Sequence, residues 1–165
     1  MRLTRLILFR HGKAESRAAT GEDFDRALTE RGRNDSRRMG ERLAAAGLAP
    51  DVALVSSAVR TLETWEQAAP AFPKAKLDPR KELYNAAPDV LLEAARDSGA
   101  ASVALIAHNP GLEVLAAELM GMADGDAGLA TAARKGFPPA SAAVFRIDGP
   151  RVICEAYYSP KDEGA

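Results

Sequence analysis

The chain has 165 residues, 47% hydrophobic and 27% charged, which are the proportions of a soluble globular domain with a real core and exclude a disordered chain. Its 22 Lys and Arg against 23 Asp and Glu leave no basic excess, which argues against a nucleic-acid or anionic membrane surface. One cysteine, Cys154, excludes an internal disulfide and a thiolate metal cluster, and two histidines without cysteine partners give no zinc spacing.

The first apolar run, Leu6-Ile7-Leu8-Phe9, ends at Arg10, His11 and Lys13 and is too short for a secretory signal, so a cytoplasmic protein is expected. Leu3 to Phe9 reads as a strand covered on both faces. A polar loop follows from Gly12 to Ala27. Thr29 is placed to cap a helix whose small or apolar positions Gly32, Ser36, Met39, Leu43 and Ala46 recur at helical spacing, with Gly47 at its C-terminus and Pro50 beyond. Val52 to Val55 is a second strand. Ser57 is the expected cap of the next helix, with Leu62, Trp65 and Ala69 on one face and Pro70 at its end.

Lys76-Leu77 reads as a brief edge strand. Pro88 opens a helix that Gly99 closes. Ser102 to Ala107 is a nearly all-apolar strand. Asn109 is the expected cap of a helix with Pro110 at its first position, Leu112, Leu115 and Leu119 inward and Gly121 at its end. Residues 122–139 read as loop with at most one short helix. Ala142 to Ile147 and Val152 to Tyr158 flank Asp148-Gly149-Pro150-Arg151 as a hairpin.

Strands alternating with helices predict a three-layer α/β/α sandwich with a mostly parallel sheet and an antiparallel edge hairpin. Residues 1–160 are expected to form one domain and 161–165 a short tail. Ligands of such sheets sit beyond the carboxyl ends of the strands. Both histidines fall there, in Arg10-His11-Gly12 and His108-Asn109-Pro110. Each alone is an ordinary strand-end polar residue; the pair points to function. Arg60, in the first turn of a helix, is misplaced for the helix dipole unless an anion is bound. Two arginines, two histidines and two helix N-termini would make a pocket for phosphate, whose oxygens match guanidinium forks.

These residues resemble a known family. Leu8-Phe9-Arg10-His11-Gly12 is similar to the RHG signature of the histidine phosphatase superfamily, whose fold is the phosphoglycerate mutase-like one. Ser56-Ser57-Ala58-Val59-Arg60-Thr61-Leu62-Glu63-Thr64 resembles its S-S-x-x-R-x-x-x-T segment, and His108-Asn109-Pro110 its second histidine motif. Arg26-Ala27-Leu28-Thr29-Glu30-Arg31-Gly32 resembles the R-x-L-T-x-x-G stretch of the small SixA-like phosphohistidine phosphatases. The resemblance runs from about Leu3 to Tyr158. It implies a metal-independent phosphatase without cofactor, with His11 as nucleophile through a phosphohistidine intermediate. Arg10, Arg60 and His108 would form the phosphate pocket. Asn109 and Arg26 are weaker substrate-binding candidates: Asn109 also suits a helix cap, and Arg26 a solvated surface.

Larger family members place a glutamate acid just after an L-x step. Here the stretch is Lys81-Glu82-Leu83-Tyr84-Asn85, with Asn85 at that position. Glu82 is the one candidate general acid, and a surface carboxylate is its plainer reading. A missing acid favours a P–N substrate, because a protonated imidazole leaves more readily than an alkoxide. Residues 61–107 leave little chain for a lid, which suits a bulky partner such as a phosphorylated protein. The alternatives are a small-molecule phosphate-ester phosphatase of the same superfamily and a non-catalytic phospho-binding module. All of these require the four side chains to meet around one oxyanion; a carboxylate salt-bridged into the cavity would count against them.

Overall fold

A computed structural model describes residues 2–124 and 127–162. Among these described residues, seven strands form one sheet: β1 (Arg5–Arg10), β2 (Val52–Ser56), β3 (Lys76–Arg80), β4 (Ser102–Ala107), β5 (Ala123–Asp124), β6 (Ala142–Asp148) and β7 (Arg151–Tyr158). Five helices accompany them: α1 (Glu30–Ala45), α2 (Val59–Ala68), α3 (Pro88–Asp97), α4 (Gly111–Met122) and α5 (Ala127–Arg134). The strand order is β3-β2-β4-β1-β6-β7-β5. Strands β3, β2, β4 and β1 run parallel, while β6 is antiparallel to both β1 and β7.

The alternation of strand side chains divides the core in two. Leu6, Leu8, Leu54, Val103 and Leu105 face one side and pack with Leu91 and Ala95 of α3 and Leu112, Leu115 and Leu119 of α4. Ile7, Phe9, Ala53, Val55, Ala104 and Ile106 face the other and pack with Met39 and Leu43 of α1 and Trp65 and Ala68 of α2. Both faces are therefore covered, as the uninterrupted apolar runs predict. Pro79 lies in β3, an edge strand, where a missing N–H is tolerated.

Several local expectations need correction. Ser57 does not cap α2; Ala58 takes that place without a side-chain bond, and the Thr61 hydroxyl lies 2.7 Å from the Ser56 carbonyl and 2.9 Å from that of Ala58. Asn109 does not cap α4, which begins at Gly111 after a cis Asn109–Pro110 bond; its amide instead donates to the Phe137 carbonyl at 2.9 Å. Residues 122–139 hold β5 and α5 besides loop, although 125 and 126 lie outside the described residues. Because β5 pairs with β7, a two-residue strand lies outside the hairpin. Of the expected tail, 163–165 lie outside the described residues and Pro160–Asp162 forms a 3-10 turn. Among the described residues, no helix is long and apolar enough to cross a membrane.

Candidate active site

Strands β1 and β4 are direct neighbours, with Arg10 opposite Ala107. The His11 N–H donates to the Ala107 carbonyl at 3.2 Å, so the two chain segments stay paired one residue beyond the strand. This register brings His11 and His108, distant in sequence, to a ring-centroid separation of 5.4 Å. Arg60 enters from the start of α2, the helix that follows β2 on the other flank of β4. Both imidazoles are buried, at 8% exposure for His11 and 4% for His108, as is Arg60 at 4%.

The local sequence explains how these groups are held. The Gly12 N–H donates to Thr64 Oγ1 at 3.0 Å, and that hydroxyl donates to the Arg60 carbonyl at 2.7 Å. One threonine thus ties the His11 segment to the helix turn carrying Arg60. Thr29 Oγ1 accepts from Gly32 N at 3.0 Å and donates to the Lys13 carbonyl at 3.1 Å, so the α1 cap also anchors the chain after His11. A Cβ on Gly32 would lie 2.1 Å from the Lys13 oxygen, and one on Gly12 would lie 2.5 Å from the Gly32 oxygen. Only glycine permits this approach.

The ring nitrogens have defined roles. His11 Nδ1 lies 2.7 Å from the Gly12 carbonyl, which can only accept, so Nδ1 carries the proton and Nε2 keeps its lone pair. Ser56 Oγ accepts from Ala58 N–H at 3.5 Å and lies 2.7 Å from His108 Nε2. When the Ser56 hydroxyl donates to Nε2, the proton of a neutral His108 falls on Nδ1, which is buried without a partner. Burial, then the charges of Arg10, Arg60 and Arg26, lower His11 to about 4 despite its Gly12 bond. Burial, then His11 and Arg60, lower His108 to about 3. Both rings are neutral at pH 7 in the absence of a bound anion.

Arg10 donates through Nη1 to the Phe137 carbonyl at 3.1 Å, the same oxygen that Asn109 uses. Its Nε, like Arg60 Nε and His108 Nδ1, is buried without a partner. Buried donors left unpaired are costly, and two guanidinium Nε groups with the His108 ring nitrogen in one cluster suit an anion.

Other expected residues stand elsewhere. Arg26 donates to Asp23 Oδ1 at 2.9 Å and to the Glu15 carbonyl at 2.7 Å, and its charge helps to lower His11. The Asn109 amide nitrogen is taken by the Phe137 carbonyl, while its Oδ1 is buried without a partner. Glu82 is exposed and pairs with Arg80 at 3.2 Å; its own backbone N–H and Arg80 lower its pKa, which is the wrong direction for a proton donor at neutral pH. The general acid expected of Glu82 therefore has no support in this placement.

Sequence reasoning missed Asp23 and Tyr84. Arg60 donates through Nη1 to the Asp23 carbonyl at 2.8 Å and through Nη2 to Asp23 Oδ2 at 3.0 Å. The Tyr84 hydroxyl also donates to Asp23 Oδ2, and its ring packs edge-on against His108 at 5.4 Å. A carboxylate therefore does pair with a pocket arginine. It does so from the rim, with its side chain 50% exposed, and leaves Arg60 Nε free. Nothing in the sequence singles out Asp23, because Glu15, Glu22 and Asp25 stand in the same polar loop. Among the described residues, no three His, Cys, Asp or Glu side chains form a metal-binding group.

A sequence model of the histidine phosphatase superfamily (branch 1) matches residues 6–86. A structure assigned as phosphohistidine phosphatase SixA from Agrobacterium tumefaciens is 30% identical, with a TM-score of 0.81 over 97% of this chain and 100% of that one. The chain belongs to the histidine phosphatase superfamily. A second SixA assignment, from Nakamurella multipartitia, is 27% identical with a TM-score of 0.79 over 95% of this chain and 96% of its own. The protein histidine phosphatase SixA complexed with tungstate is 25% identical with a TM-score of 0.71 over 96% and 98% of the two chains. A search of curated proteins found no match. The sandwich is thus the phosphoglycerate mutase-like fold, and family membership supports phosphatase activity.

Proposed function

We propose that the protein is a metal-independent phosphatase that forms a phosphoryl intermediate on His11 and acts on phosphohistidine in a protein. The observation that carries this reading is the neutral His11 ring with Nδ1 held by Gly12, beside buried unpaired nitrogens of Arg10, Arg60 and His108. His11 Nε2 attacks phosphorus while the bond to the leaving group breaks. Arg10, Arg60 and His108 Nδ1–H hold the phosphoryl oxygens, where positioning and charge supply most of the catalysis. The Gly12 carbonyl stabilises the positive charge that His11 acquires. Water then attacks phosphorus, releases phosphate and restores neutral His11.

The substrate class follows from two features. Neither Asp23, held near 2 by Tyr84 and Arg60, nor Glu82, exposed and paired with Arg80, is poised to protonate an alkoxide. Residues 61–107 are taken up by the rest of α2, by β3, α3 and β4 and by short connections, so this stretch supplies no lid. A phosphoprotein loop fits such a site, whereas small-substrate enzymes close over theirs.

A substrate panel tests the reading. Purified protein should release phosphate from a phosphohistidine protein in a chelator, and His11→Ala should lose at least a thousandfold while keeping its thermal melt. A sugar phosphate turned over far more efficiently than any phosphohistidine would overturn the substrate class.

A further inference from the structure

Asp23 is placed as no part of the phosphate pocket requires. Its carboxylate stands at the rim, half exposed, yet three donors fix it: Arg60 and Tyr84 on Oδ2 and Arg26 at 2.9 Å on Oδ1. A carboxylate offers about four acceptor positions, so roughly one remains, on Oδ1. Beside it, Phe24 and Tyr84 meet edge-on at 5.0 Å and are both partly exposed. Asp23 and Arg26 also line a depression of about 500 Å³ with the 16–18 and 21–22 segments of the same loop.

We propose that Asp23 is the leaving-group site: it accepts the distal N–H of a protonated phosphohistidine ring and so selects P–N over P–O substrates. This rests on the phosphohistidine reading above. The Tyr84 and Arg60 bonds keep the carboxylate ionised, so it accepts a hydrogen bond and donates no proton. An aromatic wall next to a fixed negative charge suits a flat cation. An ester would instead leave as an oxyanion beside that charge.

The step balances without an acid from the protein. The His11 Nε2 lone pair forms the new N–P bond. The P–N bond to the substrate ring breaks, and its electron pair returns to that ring nitrogen. The proton on the other ring nitrogen, taken from solvent beforehand, stays in place. A neutral imidazole departs.

The test compares kcat/KM of the full chain on a phosphohistidine peptide and on phenyl phosphate, in wild type and Asp23→Asn. The expected result is a fall of tenfold or more in the phosphohistidine-to-phenyl ratio. A disordered Arg60 alone would slow both substrates alike, so an unchanged ratio overturns the proposal while leaving the phosphohistidine reading intact. A wild type that hydrolyses phenyl phosphate but not the phosphohistidine peptide overturns both. Should Asp23→Asn not fold, product inhibition of wild type replaces it. A histidine peptide should inhibit phenyl phosphate turnover at least tenfold more strongly than the same peptide with phenylalanine, and equal inhibition overturns the proposal.

Discussion

Two histidines are all this chain has, so its site chemistry can be read directly by titration. Burial lowers His11 to about 4 and His108 to about 3, against about 6.5 for a free imidazole. The unfolded chain therefore binds more protons than the folded one as pH drops from about 6.5 through 4, and stability is lost over that range. Histidine NMR signals recorded without phosphate should stay in the neutral form at pH 5.5; midpoints near 6.5 would contradict the buried pair. The thermal midpoint should fall between pH 6.5 and 4 and rise again on adding tungstate, which binds only the folded site. Ser56 offers a second residue-scale test. Removing its hydroxyl leaves His108 Nε2 buried without the partner at 2.7 Å and frees the ring to take the other tautomer. Ser56→Ala should lower kcat about tenfold or more, with about 1–3 kcal/mol lost in stability. An unchanged kcat would show that Nδ1–H of His108 takes no part.

Glycine contacts separate stability from activity at the scale of elements. A Cβ on Gly40 would lie 2.8 Å from the Ala68 Cα where α1 crosses α2, away from the imidazoles. Gly40→Ala should cost roughly 1–3 kcal/mol by overpacking and leave kcat/KM intact below its melting range. Gly32→Ala, which strikes the Lys13 backbone, should lower both, because Lys13 follows His11 by two residues. Equal activity in the two variants, measured with their melting curves, would contradict the role given to the Thr29–Gly32 turn. Thr29 was legible as a cap because threonine three residues before a glycine leads into a clear amphipathic run. Ser57 offered a similar hydroxyl before an apolar run and is not the cap, because the helix begins at Val59 with Ala58 in the cap position. Helix α5 was indistinct because its Ala-Gly-rich stretch buries no residue fully and leaves little apolar pattern.

In the whole molecule, topology performs the step that sequence spacing conceals. Strands β1 and β4 lie side by side, and β2 flanks β4, so the three segments bearing His11, His108 and Arg60 end together. Apolar strands ending in Arg10-His11 and His108 made that convergence readable. Asp23 and Tyr84 were not readable, because a loop carboxylate and a tyrosine carry no periodicity and meet only after folding. In the proposed reaction phosphorus passes to His11. Acid-quench mixing with a ³²P-labelled phosphohistidine protein tests it most directly. Wild type should carry a transient, acid-labile label on His11, and His11→Ala none. Steady turnover without a labelled chain, or label retained in His11→Ala, would contradict this transfer.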